Sequence, residues 1–187
     1  MKYLIVGLGN IGAEYEHTRH NIGFDVLDAL AIDKETKFEV DRLAAITKIK
    51  HKGRTFILVK PTTYMNLSGK AVKYWLQTEK IEIENLLVIT DDIALDAGHL
   101  RMRSSGSHGG HNGLESIIES LNSSNFARLR FGIGSDFPRG RQADYVLSRW
   151  KSSEKEIVDL KIKQAVEMVL SFGTSGVSTT MNLFNNK

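Results

Sequence analysis

The chain predicts an α/β fold: a single domain over residues 1–187, built on a twisted, mixed and mostly parallel sheet flanked by helices on both faces. Three observations carry this expectation. Short apolar runs alternate with segments of helical spacing along the chain. Leu86-Leu-Val-Ile-Thr90 is continuously apolar, the mark of a strand buried on both faces. A hairpin adds an antiparallel pair, because Leu43–Lys50 and Arg54–Lys60 alternate around His51-Lys52-Gly53.

In order, Tyr3–Val6 is the first expected strand. A polar loop follows, then a helix over about residues 21–32, with Ile22, Phe24, Leu27, Leu30 and Ala31 at amphipathic spacing. Pro61 ends the hairpin. Ser68 suits the N-cap of a helix carrying Ala71, Val72, Trp75 and Leu76 on one face. The strand at 86–90 stops abruptly at Asp91-Asp92, and Gly98–Arg103 alternates as a strand expected to pair beside it. After a glycine-rich loop, Leu114, Ile117, Ile118 and Leu121 give a helix, and Ala127–Gly134 another strand. Ser153 with Glu156 reads as a capping box before a long helix through about Leu170, and the tail beyond Gly173 as a short helix. No internal repeat, low-complexity segment or Pro/Ser-rich linker interrupts the pattern.

Composition sets further bounds. With 41% apolar and 25% charged residues, the chain is an ordinary globule of a length that buries roughly 70% of its unfolded surface. It has no cysteine, which excludes disulfides, thiol catalysis and cysteine-ligated zinc. Its apolar runs are too short to span a bilayer, and Met1-Lys2-Tyr3-Leu4 leads directly into a strand, so a cytoplasmic protein without membrane contact is expected. The 25 basic and 22 acidic residues give only +3, yet the basic ones cluster at Lys48–Arg54, Arg101/Arg103, Arg128/Arg130 and Arg139/Arg141. Such clusters suit a polyanionic partner or a solvated surface.

Gly7, Gly9 and Gly12 after an apolar strand match the G-x-G-x-x-G of a dinucleotide-binding turn. That turn needs a helix to open immediately at the pyrophosphate, whereas the next eight residues here are polar and hold His17 and His20. A strand emptying into a polar loop with Asn10 and His20 reads instead as a catalytic edge. Ligand sites of such sheets lie beyond the carboxyl ends of the strands, where Gly9-Asn10 and Asp91-Asp92 both fall. His20 could serve as a general base with Asp91 as its orienter, and water would be the nucleophile because no serine or cysteine sits on a strand-to-helix elbow. An arbitrary His–Asp pair is usually structural. Ser107-His-Gly-Gly-His-Asn-Gly113 precedes a helix, where its glycines and free amides suit an anion; the bland reading is a loop with Asn112 as helix cap. Lys60–Gly69 alone is a strand end and a cap, and Asn66 gains interest only if this loop reaches the same edge. His17/His20 and His108/His111, each three apart, raise a metal site with Asp91 and Asp92, but loop sequence does not enforce that geometry.

Four segments, in register along the whole chain, resemble the bacterial-type peptidyl-tRNA hydrolases: GLGNIG with Thr18-Arg-His-Asn21, KPTTYMNLSG at 60–69, SHGGHNGL at 107–114 and RLRFGIG at 128–134. The resemblance implies a monomeric hydrolase, without metal or organic cofactor, that cuts the ester between a peptide and the 3′-terminal ribose of tRNA. It implies His20 as catalytic base, Asp91 as its supporting carboxylate, and Asn10, Asn66 and Asn112 as positioners of substrate and water. Met65 and His111 would line the cleft, Tyr15 would contact substrate, and Arg103 and Arg130 would meet tRNA phosphates. The partner would be peptidyl-tRNA, through its acceptor stem and 3′ end, with no obligate protein partner. Departures are Ile11 where the family has proline, Ser104-Ser-Gly-Ser107 where glycines dominate, and Thr90-Asp91-Asp92 at the carboxylate. The last leaves Asp91 or Asp92 to face His20, with position favouring Asp91. A nucleotide-binding module, a metal-dependent nuclease and a non-catalytic RNA-binding protein are the competing classes; only the esterase uses every motif.

Overall fold

The computed structural model describes residues 1–186. Its strands are β1 (Lys2–Gly7), β2 (Glu39–Asp41), β3 (Ala44–His51), β4 (Arg54–Pro61), β5 (Leu86–Asp92), β6 (Leu100–Arg103) and β7 (Ala127–Gly132). The helices are α1 (Ile22–Asp33), α2 (Ser68–Glu79), α3 (Asn112–Leu121), α4 (Gln142–Val146), α5 (Ser152–Ser175) and α6 (Val177–Phe184). They form one seven-stranded mixed sheet in the order β2-β3-β4-β1-β5-β7-β6. The centre is parallel, β4 with β1, β1 with β5 and β5 with β7, while β2, β3 and β6 add antiparallel edges.

Period-two alternation distributes the central strands between two cores. Ile5, Leu87 and Ile89 face a layer with Val26 and Leu30 of α1 and Val169 and Phe172 of α5. Leu4, Val6, Leu86 and Val88 face the opposite layer, with Val72 and Trp75 of α2 and Leu114 and Ile117 of α3. This double burial is why β5 carries no charged residue until Asp91. The strand then ends beside β1, with Gly7 level with Ile89, so the turn after β1 and the aspartates after β5 emerge at one edge.

The glycines of the first motif are explained by packing. A β-carbon on Gly7 would overlap the Gly23 carbonyl, and one on Gly9 would strike the Phe24 ring. They bring α1 onto the sheet, and α1 opens only at Ile22, well beyond Gly12. Only a single 3-10 turn, Ala13–Tyr15, immediately follows Gly12, so no α-helix N-terminus meets the glycines as a pyrophosphate would need.

Several local expectations shift. Ser68 is the first helical residue of α2 rather than its cap, and its hydroxyl donates to the Met65 carbonyl at 2.7 Å. His111, not Asn112, caps α3. The capping carboxylate of α5 is Glu154, which accepts from the Lys151 amide at 2.9 Å, in place of the Ser153/Glu156 box. The sixth strand is shorter than expected and pairs antiparallel with β7, not with β5. The 93–99 connection passes over the end of β7, where a β-carbon on Gly132 would overlap the Asp96 carbonyl. Helix α5 runs on to Ser175 because Gly173 lets the Phe56 ring approach it closely.

Candidate active site

At the carboxyl edge of β1 and β5 lies a cleft of about 900 Å3. Its walls come from Asn10, the turn holding His20, Tyr64–Asn66, the end of β5, the 105–112 loop and α4. At its floor Asp91, 3% exposed, joins two histidines. His20 Nδ1 lies 2.8 Å from Asp91 Oδ2, and His111 Nε2 lies 2.8 Å from Asp91 Oδ1. The rings of the two histidines stand 5.1 Å apart.

The hydrogen bonds determine where protons sit. His111 Nδ1 accepts from the amides of Gly113 and Leu114, at 3.1 and 3.3 Å, at the N-terminus of α3. An amide donor at Nδ1 requires a lone pair there, so His111 is neutral and donates through Nε2 to Asp91. Asp91 likewise receives the Nδ1 proton of His20, so that Nε2 is the nitrogen left to exchange a proton and is the free base in the neutral ring. Burial lowers the His20 pKa, but the Asp91 charge and hydrogen bond more than reverse this, and the net shift is upward from 6.5. Burial pushes Asp91 up, and His111 and His20 together hold it well below the usual carboxylate range. The result is an ionised carboxylate beneath a histidine whose basicity it raises.

Asn10 is held on three sides. Its amide donates to Asn21 Oδ1, its carbonyl accepts from Asn21 Nδ2, each at 2.9 Å, and its Oδ1 accepts from the Met65 amide at 2.7 Å. With Oδ1 taken, Nδ2 is the group left to donate. Met65 is buried in the wall, while Asn66 and Asn112 are exposed at the rim. Arg103 is exposed at the far side of the same cleft. Arg130 Nε is 2.6 Å from Asp92 Oδ2, so Asp92 belongs to an arginine and Asp91 to the histidines. Tyr15 is not among the lining residues; its carbonyl accepts from the Thr18 amide and hydroxyl within its own turn.

The sequence-spaced histidine pairs are not brought together. His17 turns to Asp25 at 2.9 Å, and His108 accepts from its own loop at the Gly110 amide. His20, Asp91 and His111 do offer three ligand atoms within 4.8 Å of one another. Yet each imidazole nitrogen facing the carboxylate is hydrogen-bonded to its own oxygen, so the cluster is satisfied without a cation.

Three contributors lie outside the sequence reading. Arg128 is buried and donates to the carbonyls of Ser107 and Ser124 at 3.1 and 2.9 Å, pinning the 104–107 loop to β7. Burial, then the neighbouring Arg130, lowers its pKa to about 10, which keeps it charged at neutrality. Arg19, 2% exposed, donates to Ser148 Oγ, to the Arg149 carbonyl at 2.7 Å and to Glu154 at 2.8 Å. Its guanidinium lies 4.3 Å from the Tyr145 ring centroid, and the Tyr145 hydroxyl donates to the Ile133 carbonyl. This clasp ties the His20 turn to α4, whose Ala143 and Val146, with Leu147 beyond it, line the cleft. The spacing of those three apolar residues is a helical signal that could have revealed α4; nothing in the sequence marks Arg19.

Comparison with known proteins agrees with this architecture. The peptidyl-tRNA hydrolase family profile matches residues 4–187. Similar proteins include the peptidyl-tRNA hydrolases of Cytophaga hutchinsonii, 59% identical, and of Bacteroides fragilis, 54% identical, each over 187 residues and 100% of both chains. A crystal structure of peptidyl-tRNA hydrolase from Acinetobacter baumannii superimposes with a TM-score of 0.92 at 35% identity, covering 98% of this chain and 94% of that one. On sequence and fold alike, the chain belongs to the peptidyl-tRNA hydrolase family.

Proposed function

We propose that this chain hydrolyses the ester joining a peptide to the 3′-terminal ribose of tRNA, releasing free tRNA and peptide and so recycling prematurely released peptidyl-tRNA in the cytoplasm. The observation that carries the mechanism is the Asp91 bridge, which engages His20 through Nδ1 and so leaves Nε2 to act as the base when the ring is neutral. His20 takes a proton from water as the water oxygen attacks the ester carbonyl. Asp91, ionised and buried, stabilises the imidazolium that forms. The Asn10 amide, fixed through Met65, and the rim amides of Asn66 and Asn112 are the available donors to the developing oxyanion. Collapse of the tetrahedral intermediate breaks the bond to the ribose oxygen, and the proton on His20 passes to that alkoxide. Ribose is a better leaving group than an amide nitrogen, which suits a site without a covalent nucleophile. Arg103 and Arg130, both in the lining of the cleft, supply the positive charge for the phosphates of the acceptor stem. The protein acts as a monomer, and neither a metal nor another protein has a part in these steps.

The test is release of tRNA from an N-acetyl-aminoacyl-tRNA. Wild type should cleave it with or without chelator, and His20→Ala should lose on the order of 10²–10⁴ in rate. Chelator-sensitive cleavage would move the site to the metal-dependent class, and a folded wild type without activity would remove the esterase.

A further inference from the structure

Asn10 separates two clefts of opposite electrostatic character. The second, of about 410 Å3, shares Asn10 with the catalytic cleft, and Thr62 lines the one while Tyr64 lines the other. Its size is within the range of ligand-binding clefts. Ile11, Phe24, Ala45 and Pro61 give it apolar walls. Three carboxylates, Glu16, Asp25 and Asp28, accompany Lys60 and His17 there. Lys60 is paired with Asp28 and lies 4.2 Å from the Phe38 ring centroid, and His17 is paired with Asp25. Glu16 is exposed and has no cationic partner among the described residues. The catalytic cleft, which also includes Asn10, carries Arg103, Arg128 and Arg130 against Asp91 and Asp92, and Arg103 is its exposed charge.

An ester of tRNA has two unlike halves. The nucleic-acid half is a polyanion, drawn to the arginine side and repelled by the carboxylate side. The peptide half has no obligatory negative charge beside the ester. Resting on the hydrolase reading above, we propose that the second cleft is a peptide subsite: it receives the peptidyl residues preceding the esterified one and favours basic over acidic side chains. A lysine or arginine there lays its aliphatic stem on Ile11 and Phe24 and sets its charged end at Glu16. Lys60, already neutralised by Asp28, leaves Glu16 as the carboxylate that an incoming cation meets. Substrate then crosses the catalytic edge at Asn10, with its tRNA and its peptide in oppositely charged clefts.

The experiment compares kcat/KM for three tRNA esters: N-acetyl-aminoacyl, and N-acetyl-tripeptidyl with either Lys or Glu immediately before the esterified residue. Wild type should prefer the Lys over the Glu tripeptide by about threefold to fivefold, the size of a half-exposed ion pair. Glu16→Lys should erase or reverse that ratio. Ile11→Trp, which fills the cleft, should bring both tripeptides to a common value. Each ratio is read on one preparation, so a change in the amount of folded enzyme cancels. Equal rates for the Lys and Glu tripeptides in wild type, or a ratio that survives both substitutions, would overturn the subsite while cleavage of the N-acetyl-aminoacyl ester left the hydrolase reading standing. Failure of wild type to cleave any of the three esters would overturn both.

Discussion

Asp91 is asked to do two things with its two oxygens. It raises His20 toward neutrality as a base, and it holds His111 in the tautomer that caps α3. Replacing it with Asn separates the effects. An amide gives no negative charge, so burial alone then governs His20 and its pKa falls. The acid limb of the pH–rate profile, which in wild type lies above 6.5 because protonated His20 cannot act as a base, should move to lower pH in Asp91→Asn, with a large loss in the plateau rate. An unmoved limb would mean that another group titrates. Asp25 gives the opposite kind of prediction. Burial, only partly countered by His17, raises its pKa to about 6 from 3.8. A carboxyl that holds its proton more tightly when folded adds stability at low pH and loses it as pH rises through about 6. Asp25→Asn should therefore raise Tm at pH 8 and change it little at pH 4, measured by thermal unfolding at both. The pairing of His20 with a carboxylate was legible because Asp91 lies at the end of a buried strand and the polar loop holding His20 follows the neighbouring strand, so both fall at one sheet edge. His111 as cap and tautomer lock was not, because it depends on α3 starting one residue from the expected place.

Helix α3 carries His111 and Asn112 into the cleft, and its position is set by α2. Gly69 lies where the two helices meet, and a β-carbon there would overlap the Ser116 carbonyl. Its amide also donates to Ser116 Oγ at 2.9 Å. Gly69→Ala should cost about 1–3 kcal/mol through overpacking. Because α3 must move to accommodate it, kcat should drop too, whereas a merely local strain would lower Tm and leave kcat intact below the transition. Circular dichroism melts alongside single-turnover rates would separate the two. At this scale the sequence spoke clearly where the period was long: α1, α2, α3, α5 and the β3–β4 hairpin all stand close to their expected spans. It was silent on β2, three exposed residues without an apolar face, and on α4, five residues with none buried. It also misassigned the partner of β6, since strand neighbours are decided by the path of the 93–99 connection over β7 and not by the strand's own residues.

Across the molecule, the sheet's carboxyl edge gathers residues from widely separated stretches of chain, three arginines among them. Arg103 is the exposed one, so Arg103→Ala should act chiefly on KM and reduce the dependence of log KM on log salt by roughly 0.9, the contribution of one phosphate contact. Arg130→Ala should be more damaging at the same salt, because it also strips Asp92 of its partner and leaves a carboxylate facing the tRNA. Steady-state kinetics over a salt series distinguishes them. The clasp at Arg19 has a consequence in time. Its partners Ser148, Arg149 and Glu154 lie 129, 130 and 135 residues later in the chain. During synthesis, the sheet strands and Asp91 emerge long before the His20 turn can receive its anchor. A ribosome that stops early, before Glu154 has left the exit tunnel, produces a chain whose His20 turn lacks this tether. The His20 turn gains its anchor only when almost all of the chain has been made.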